Sequence, residues 1–297
     1  MYDARDPRAA LAAGPAKPPP TAFAGGEYVK FYEIRPQEEA GGTRTWYARG
    51  QNFILAYSEA AAGAAFQRPA GTGEQILLLP DATPAEIATA AETAAVRGGS
   101  LVIVPPGESR IRIAEPGRVI RLFTAGEADL ARRCANAAGY ADPHPNVALL
   151  EPWPEPVGGH RIRRYDLDTP IEPGRFGRIW RSTCFMVNYF PASQGPRDPT
   201  KLSPHSHDDF EQCSLVLEGA YVHHLRWPWT TNKQIWREDD HEHCGAPSVA
   251  VIPPPAIHTS EAVTSGRNHL VDIFCPPRRD FSEKAGWVLN ADEFPMP

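Results

Sequence analysis

Eight of the ten histidines in this chain of 297 residues fall between His205 and His269; the others are His144 and His160. Imidazole is a common ligand for first-row divalent metals and titrates near neutrality, so this crowding points to one chemical site in the C-terminal half. The segment PHSHDDFEQCSLVLEG places His205 and His207 two residues apart. On a strand, residues i and i+2 share a face, so both rings can reach one ion. His258 follows a proline-rich turn in VIPPPAIH and can complete the set from a neighbouring strand.

Other side chains close by are candidates of a second rank. After Gly219, Tyr221 and His223 share one strand face, and His224 and Arg226 share the other. If the first face lines a cavity, Tyr221 and His223 are catalytic acid/base groups beside the ion; otherwise they are half-exposed strand residues. Trp227 and Trp229 flank Pro228 and read as packing residues. The run EDDHEHCG, residues 238–245, holds Asp239, Asp240, His241, Glu242, His243 and Cys244, yet it reads as a solvated loop rather than a second metal site. His269 and Asp272, on a later strand, are candidates for lining the site. No phosphate-cradling loop or nucleophile elbow is present: GTGEQ near Gly71 is a turn with no helix after it.

Short apolar runs must position these groups. YVKFYEI, NFILAYSEA and EQILLLPDA read as strands broken by turn residues, and the pattern resumes from Ile162 to Phe274. Two stretches look helical. Thr83, Pro84 and Glu86 form a capping box before an alanine-rich run that Gly98 and Gly99 would stop. Thr124 and Glu127 form another before ADLARRCANAA, which would end at Gly139. Residues 1–25, rich in Ala and Pro, read as a disordered arm, and 140–160 as a Pro-rich connector. The expected units are therefore 26–140 and 160–297, the second carrying an irregular tail with Phe281 and Trp287 packed back. The halves repeat each other: GEQILLLPDA matches FEQCSLVLEGA, and SLVIVPPGES matches SVAVIPPPAI in the same order.

These motifs resemble the cupin superfamily. Its first motif is a His-x-His pair followed by Glu and then Gly; its second is Pro-x-Gly followed by His. HSHDDFEQCSLVLEG corresponds to the first, and PPPAIH to the second, with Pro253 at the Pro position, Pro255 where Gly is usual and His258 at the His position. With the duplication, the chain is similar to a bicupin over about residues 28–275. The resemblance implies an all-β fold of two jelly-roll barrels, with one or two short helices in the N-terminal half and the interdomain region. It also implies a divalent metal in the C-terminal barrel, held by His205, His207 and His258. The family's glutamate falls on Gln212 when counted back from Gly219 and on Glu211 when counted forward from His207. Adjacent strand residues face opposite sides, so only one points inward, and the Gly-anchored count favours Gln212 as the fourth ligand. A neutral amide leaves the ion more positive and its coordination more open than a carboxylate would. Positions matching the three histidines in the first half are Arg68, Ala70 and Arg110, which offer no lone pair to a metal. That half is expected to be metal-free and to serve packing, with Arg68 and Arg110 as anion-binding candidates.

Composition bounds the remaining choices. A net charge of −6 argues against nucleic-acid binding by bulk electrostatics, and no apolar run is long enough to span a membrane. The five cysteines lack CxxC spacing and read as small buried groups, Cys213 and Cys244 being those nearest the histidines; with no secretory leader, this gives a cytoplasmic expectation. Three functions remain. The favoured expectation is a non-haem Fe(II) dioxygenase acting on a small aromatic or dicarbonyl substrate. The next is a Zn- or Mn-dependent isomerase or lyase of a sugar acid or hydroxy-keto acid, and the third a non-catalytic binding cupin. Iron is the expected metal, with Zn, Mn or Ni as alternatives, and a homodimer is the expected assembly.

Overall fold

Strands dominate because β-branched and aromatic residues alternate with small or polar ones between Gly- and Pro-containing turns. A computed structural model describes residues 20–175 and 177–297. Two seven-stranded antiparallel sheets form the centre of the molecule. One runs Arg163–Asp166, Ser100–Val104, Gln75–Leu79, Gly117–Thr124, Phe53–Ala60, Thr43–Arg49, Glu38–Ala40. The other runs Glu27–Lys30, Ser248–Ile252, Gln212–Glu218, Arg267–Phe274, Met186–Tyr189, Arg178–Arg181, with Ser193–Gln194 paired to Arg267–Phe274. The strand orders correspond position by position, as the internal repeat requires.

The faces of these sheets alternate by residue. Ile76, Leu78, Leu101, Ile103 and Ile120 of the first half meet Cys213, Leu215, Leu217, Val249 and Val251 of the second in one shared apolar core. The opposite faces look into the two barrels. A four-stranded sheet, Ala65–Gly71, Gly107–Ile113, Ala85–Thr89 and Thr93–Val96, closes the first barrel. A three-stranded sheet, Asp240–Gly245, Ala220–Arg226 and Ile257–Ala262, closes the second. Aliphatic side chains fill the first interior, among them Leu77, Leu79, Val102, Val104 and Ile111. The second interior is polar, with Gln212, Ser214, His223 and Asn268 all buried.

Each half supplies the outermost strand of the other half's sheet. Glu27–Lys30 pairs antiparallel with Ser248–Ile252, and Arg163–Asp166 pairs with Ser100–Val104. The duplicated Glu-Gln pair works the same way. Glu74 is buried and accepts from the backbone N–H (2.8 Å) and hydroxyl (2.7 Å) of Thr183 in the second half. Glu211, equally buried, accepts from the backbone N–H of Gln51 in the first half at 2.5 Å.

Two sequence expectations need correction. The expected helix beginning at Thr83 is a hairpin, Ala85–Thr89 and Thr93–Val96. Ala85 and Ile87 are buried while Glu86 is exposed, a period of two that closes the barrel wall and overrides the helix propensity of the alanines. The second helix is a single turn, Ala128–Ala131, followed by a 3-10 turn, Ala137–Tyr140, and the tail carries a further turn, Arg279–Ser282. Of the expected arm, residues 1–19 lie outside the described residues. Phe23 is buried against Leu225, Trp227, Ile252 and Ala256, and the Trp227 indole donates to the Ala24 carbonyl at 3.0 Å.

Candidate metal centre

His258 lies on the strand Ile257–Ala262, and His205 forms an isolated antiparallel bridge with it. The two backbones exchange hydrogen bonds of 3.0 and 2.7 Å, which sets both rings at one end of the second barrel. His207 follows two residues on, its ring stacked on Phe210 at 4.5 Å. One nitrogen from each of the three histidines lies within 4.8 Å of the others. Among the described residues this is the group of His, Cys, Asp and Glu side chains that converges tightly enough to share an ion. Gly219 ends the neighbouring strand at a φ of +77°, where a Cβ would fall 2.2 Å from the Asn268 amide oxygen.

Hydrogen bonds fix which atoms face inward. His258 donates Nδ1–H to the Ala256 carbonyl and His205 donates Nδ1–H to the Ser203 carbonyl, both at 3.0 Å. Burial, then the charge of nearby His205, pulls the His258 pKa down to about 4, so its Nε2 carries a bare lone pair at neutral pH. Burial, then neighbouring His258, pulls His207 down to about 3. Ser214 Oγ donates to Asp272 Oδ1 at 2.7 Å and accepts from Gln212 Nε2 at 3.0 Å, which turns the Gln212 amide oxygen toward the imidazoles. That oxygen lies 2.9 Å from His207 Nε2 and 3.2 Å from His258 Nε2. At His258 two lone pairs therefore face each other at hydrogen-bonding distance with no proton between them. A cation among these atoms removes the conflict, so the residues fit a divalent metal. Glu211, by contrast, faces away, accepting from the Tyr140 hydroxyl (3.1 Å) and His144 Nδ1 (2.8 Å) in the connector.

A cavity of about 390 Å³ opens beside the histidines. Arg197, Tyr221 and Asp272 line it together with His205, Gln212 and His258. The Arg197 guanidinium donates to the carbonyls of Ser260 (3.1 Å) and Lys201 (3.0 Å) and to the Ser203 hydroxyl (3.0 Å), with no carboxylate among these partners. Asp272 is half-buried on the cavity wall, and desolvation raises its pKa to about 6 against the pull of Ser214. Burial, then Asp272, pushes the Tyr221 hydroxyl up to about 12.

No protein-family model and no curated protein matches the sequence. Solved structures do match in fold. A variant of the Bacillus subtilis oxalate decarboxylase superposes with a TM-score of 0.59 at 13% identity, over 86% of this chain and 78% of that one. A structure of the same enzyme, concerned with its Mn(II) centres, gives 0.58 at 12% identity over the same shares. AerE from Microcystis aeruginosa gives 0.50 at 10% identity, over 86% of this chain and 99% of that one. The chain shares the two-barrel fold of these structures.

Within this fold, the sequence-predicted residues divide into three groups. His205, His207, His258 and Gln212 come together, and Tyr221 faces the cavity beside them. His223 stands apart from the cavity lining: it is fully buried, its Nδ1 lies 2.8 Å from the Ser260 hydroxyl, and its Nε2 has no partner. Burial pulls its pKa down to about 3, so the ring is neutral. His269 is also spent elsewhere, bonded at 2.9 Å to the Phe190 carbonyl. In the N-terminal barrel, Arg68 is paired with Glu127 and Asp129, and Arg110 is exposed. Cys213 and Cys244 are buried and free, and burial pushes both thiols up, Cys244 to about 12. Arg197 escaped sequence reading because it sits in an irregular loop with no motif around it. Asp272 carried a usable signal: its two-residue spacing from Leu270 and Phe274 puts it on the inward face.

Proposed function

We propose that this chain is a metal-dependent bicupin lyase or isomerase acting on a small keto or hydroxy acid in its C-terminal barrel. One observation carries the reading: the cavity places a guanidinium without an acidic partner and a half-buried carboxylate on the same walls as His205 and His258 of the triad. His205, His207, His258 and Gln212 would hold the ion, whose chemistry when bound is to polarise a carbonyl or carboxylate oxygen. Arg197 takes the substrate carboxylate, because a guanidinium bonded only to neutral acceptors retains its charge for an anion. Asp272 moves the proton; its raised pKa, about 6, lets it both take and return one close to neutrality. Tyr221, protonated at any working pH, donates a hydrogen bond to developing negative charge on the substrate. Ser214 links Asp272 to Gln212, so the proton carrier and the amide are positioned together.

The fold neighbours named as oxalate decarboxylases support a lyase more than the oxygenase first expected, and the Mn(II) centres named for one of them give iron no preference. The experiment is proton exchange and turnover. Protein reconstituted with Mn2+ or Zn2+ is incubated in D2O with 2-keto acids, 2-hydroxy acids and oxalate, and followed by NMR for deuterium uptake and carbon dioxide release. Exchange or release that D272N abolishes is expected. A panel in which no acid exchanges, isomerises or loses carbon dioxide overturns the proposal.

A further inference from the structure

The triad leaves another histidine pair unused, on the outer face of the three-stranded sheet. His224 lies directly opposite His241 across the antiparallel ladder. Their Nδ1 atoms are 2.7 Å apart, and His224 Nε2 is 3.1 Å from Glu261 Oε2. Proton counting shows what the contact needs. A carboxylate only accepts, so His224 donates its Nε2–H to Glu261, and in its neutral form the ring carries a bare Nδ1. That lone pair points at the Nδ1 of His241. Either a proton carried by one of the two rings bridges these nitrogens or a cation takes both lone pairs.

We propose that His224 and His241 form a second divalent-cation site of Zn2+ type, bound through both Nδ1 atoms. Glu261 holds the His224 ring through its far nitrogen, the arrangement by which carboxylates orient metal-bound imidazoles and raise their basicity. Both histidines line a hollow of about 200 Å³ on the barrel exterior, which leaves the remaining coordination positions to water. Asp239 lines the same hollow but is held by Arg226 at 2.8 and 2.5 Å. The residues of the run 238–245 divide accordingly. His241 turns to the hollow, Glu242 pairs with Lys30 at 2.6 Å, and Cys244 is buried. With two protein ligands instead of four, the site binds more weakly than the triad.

This inference is independent of the function proposed above. Zn2+ is titrated calorimetrically into metal-free full-length protein, and the wild type is expected to show a tight equivalent and a weaker second one. H241A should lose the second and keep the first, and E261Q should weaken the second roughly 10-fold or more. H258A should lose the first and keep the second, so failure at the triad and failure here are told apart. His241 is exposed, and matched thermal melts establish that H241A is folded. A single equivalent in the wild type, or zinc uptake unchanged in H241A, means that the two rings share only a proton and overturns the proposal.

Discussion

Ser214→Ala tests whether the hydrogen bonds behind Gln212 set the affinity of the metal centre. Ser214 is fully buried and holds two partners, Gln212 Nε2 at 3.0 Å and Asp272 Oδ1 at 2.7 Å. Removing the hydroxyl frees the Gln212 amide to rotate and leaves the half-buried Asp272 carboxylate short of a donor. The bond to Gln212 is worth about 0.5–1.5 kcal/mol and the charge-assisted bond to Asp272 about 1.5–3 kcal/mol, so total stability falls by roughly 2–4 kcal/mol. Only the part that orients Gln212 reaches the metal. Removal of such an outer partner costs roughly 10–100-fold in affinity, or about 1.4–2.8 kcal/mol. The assay is competition for Mn2+ or Zn2+ against a chromophoric chelator, with thermal melts in parallel. D272N and the double variant complete a mutant cycle. Because Asp272 reaches Gln212 through Ser214, the two losses of affinity should not add. Wild-type affinity in folded S214A, or full additivity in the cycle, refutes this account.

Other outcomes follow from the same geometry. His258→Ala removes a central imidazole and should strip bound metal from the C-terminal barrel, measured by elemental analysis of the purified chain. Arg197→Met should raise KM for acid substrates by roughly 10–100-fold, the worth of a charge-assisted hydrogen bond, with metal content unchanged. Asp81 is held below its usual pKa: burial opposes ionisation, but the side chain and backbone N–H of Arg118 more than offset it. A depressed carboxylate contributes stability that is present above the unfolded value near 3.9 and lost as pH falls through the lower folded value. Asp81→Asn should therefore cost about 1 kcal/mol at pH 7, as expected for a partly exposed pair, and nothing in acid, read by urea unfolding at both pH values.

The metal end of the barrel was legible because its signal is local. His205 and His207 share a face by strand parity, and the turn before His258 advertises a ring brought in from a neighbour. Choosing Gln212 over Glu211 followed from counting back from Gly219, since the glycine fixes where the strand stops. Local reading failed where long-range packing decides. The segment from Thr83 carries genuine helix-start chemistry, but a four-stranded wall needed Ile87 inside. Arg197 had no periodic context at all, so its approach to the cavity follows only from the folded loop. The strands Glu27–Lys30 and Arg163–Asp166 read correctly as strands, yet nothing in their residues tells which sheet they join.

That crossing of strands bears on how the molecule could be divided or recombined. A fragment consisting of residues 160–297 would keep every histidine of the triad while baring the backbone of Ser248–Ile252, and it would carry away a strand belonging to its neighbour. Neither half is a self-sufficient cassette. Each barrel completes its wall with a strand borrowed from the other, so the two can only be moved as one piece.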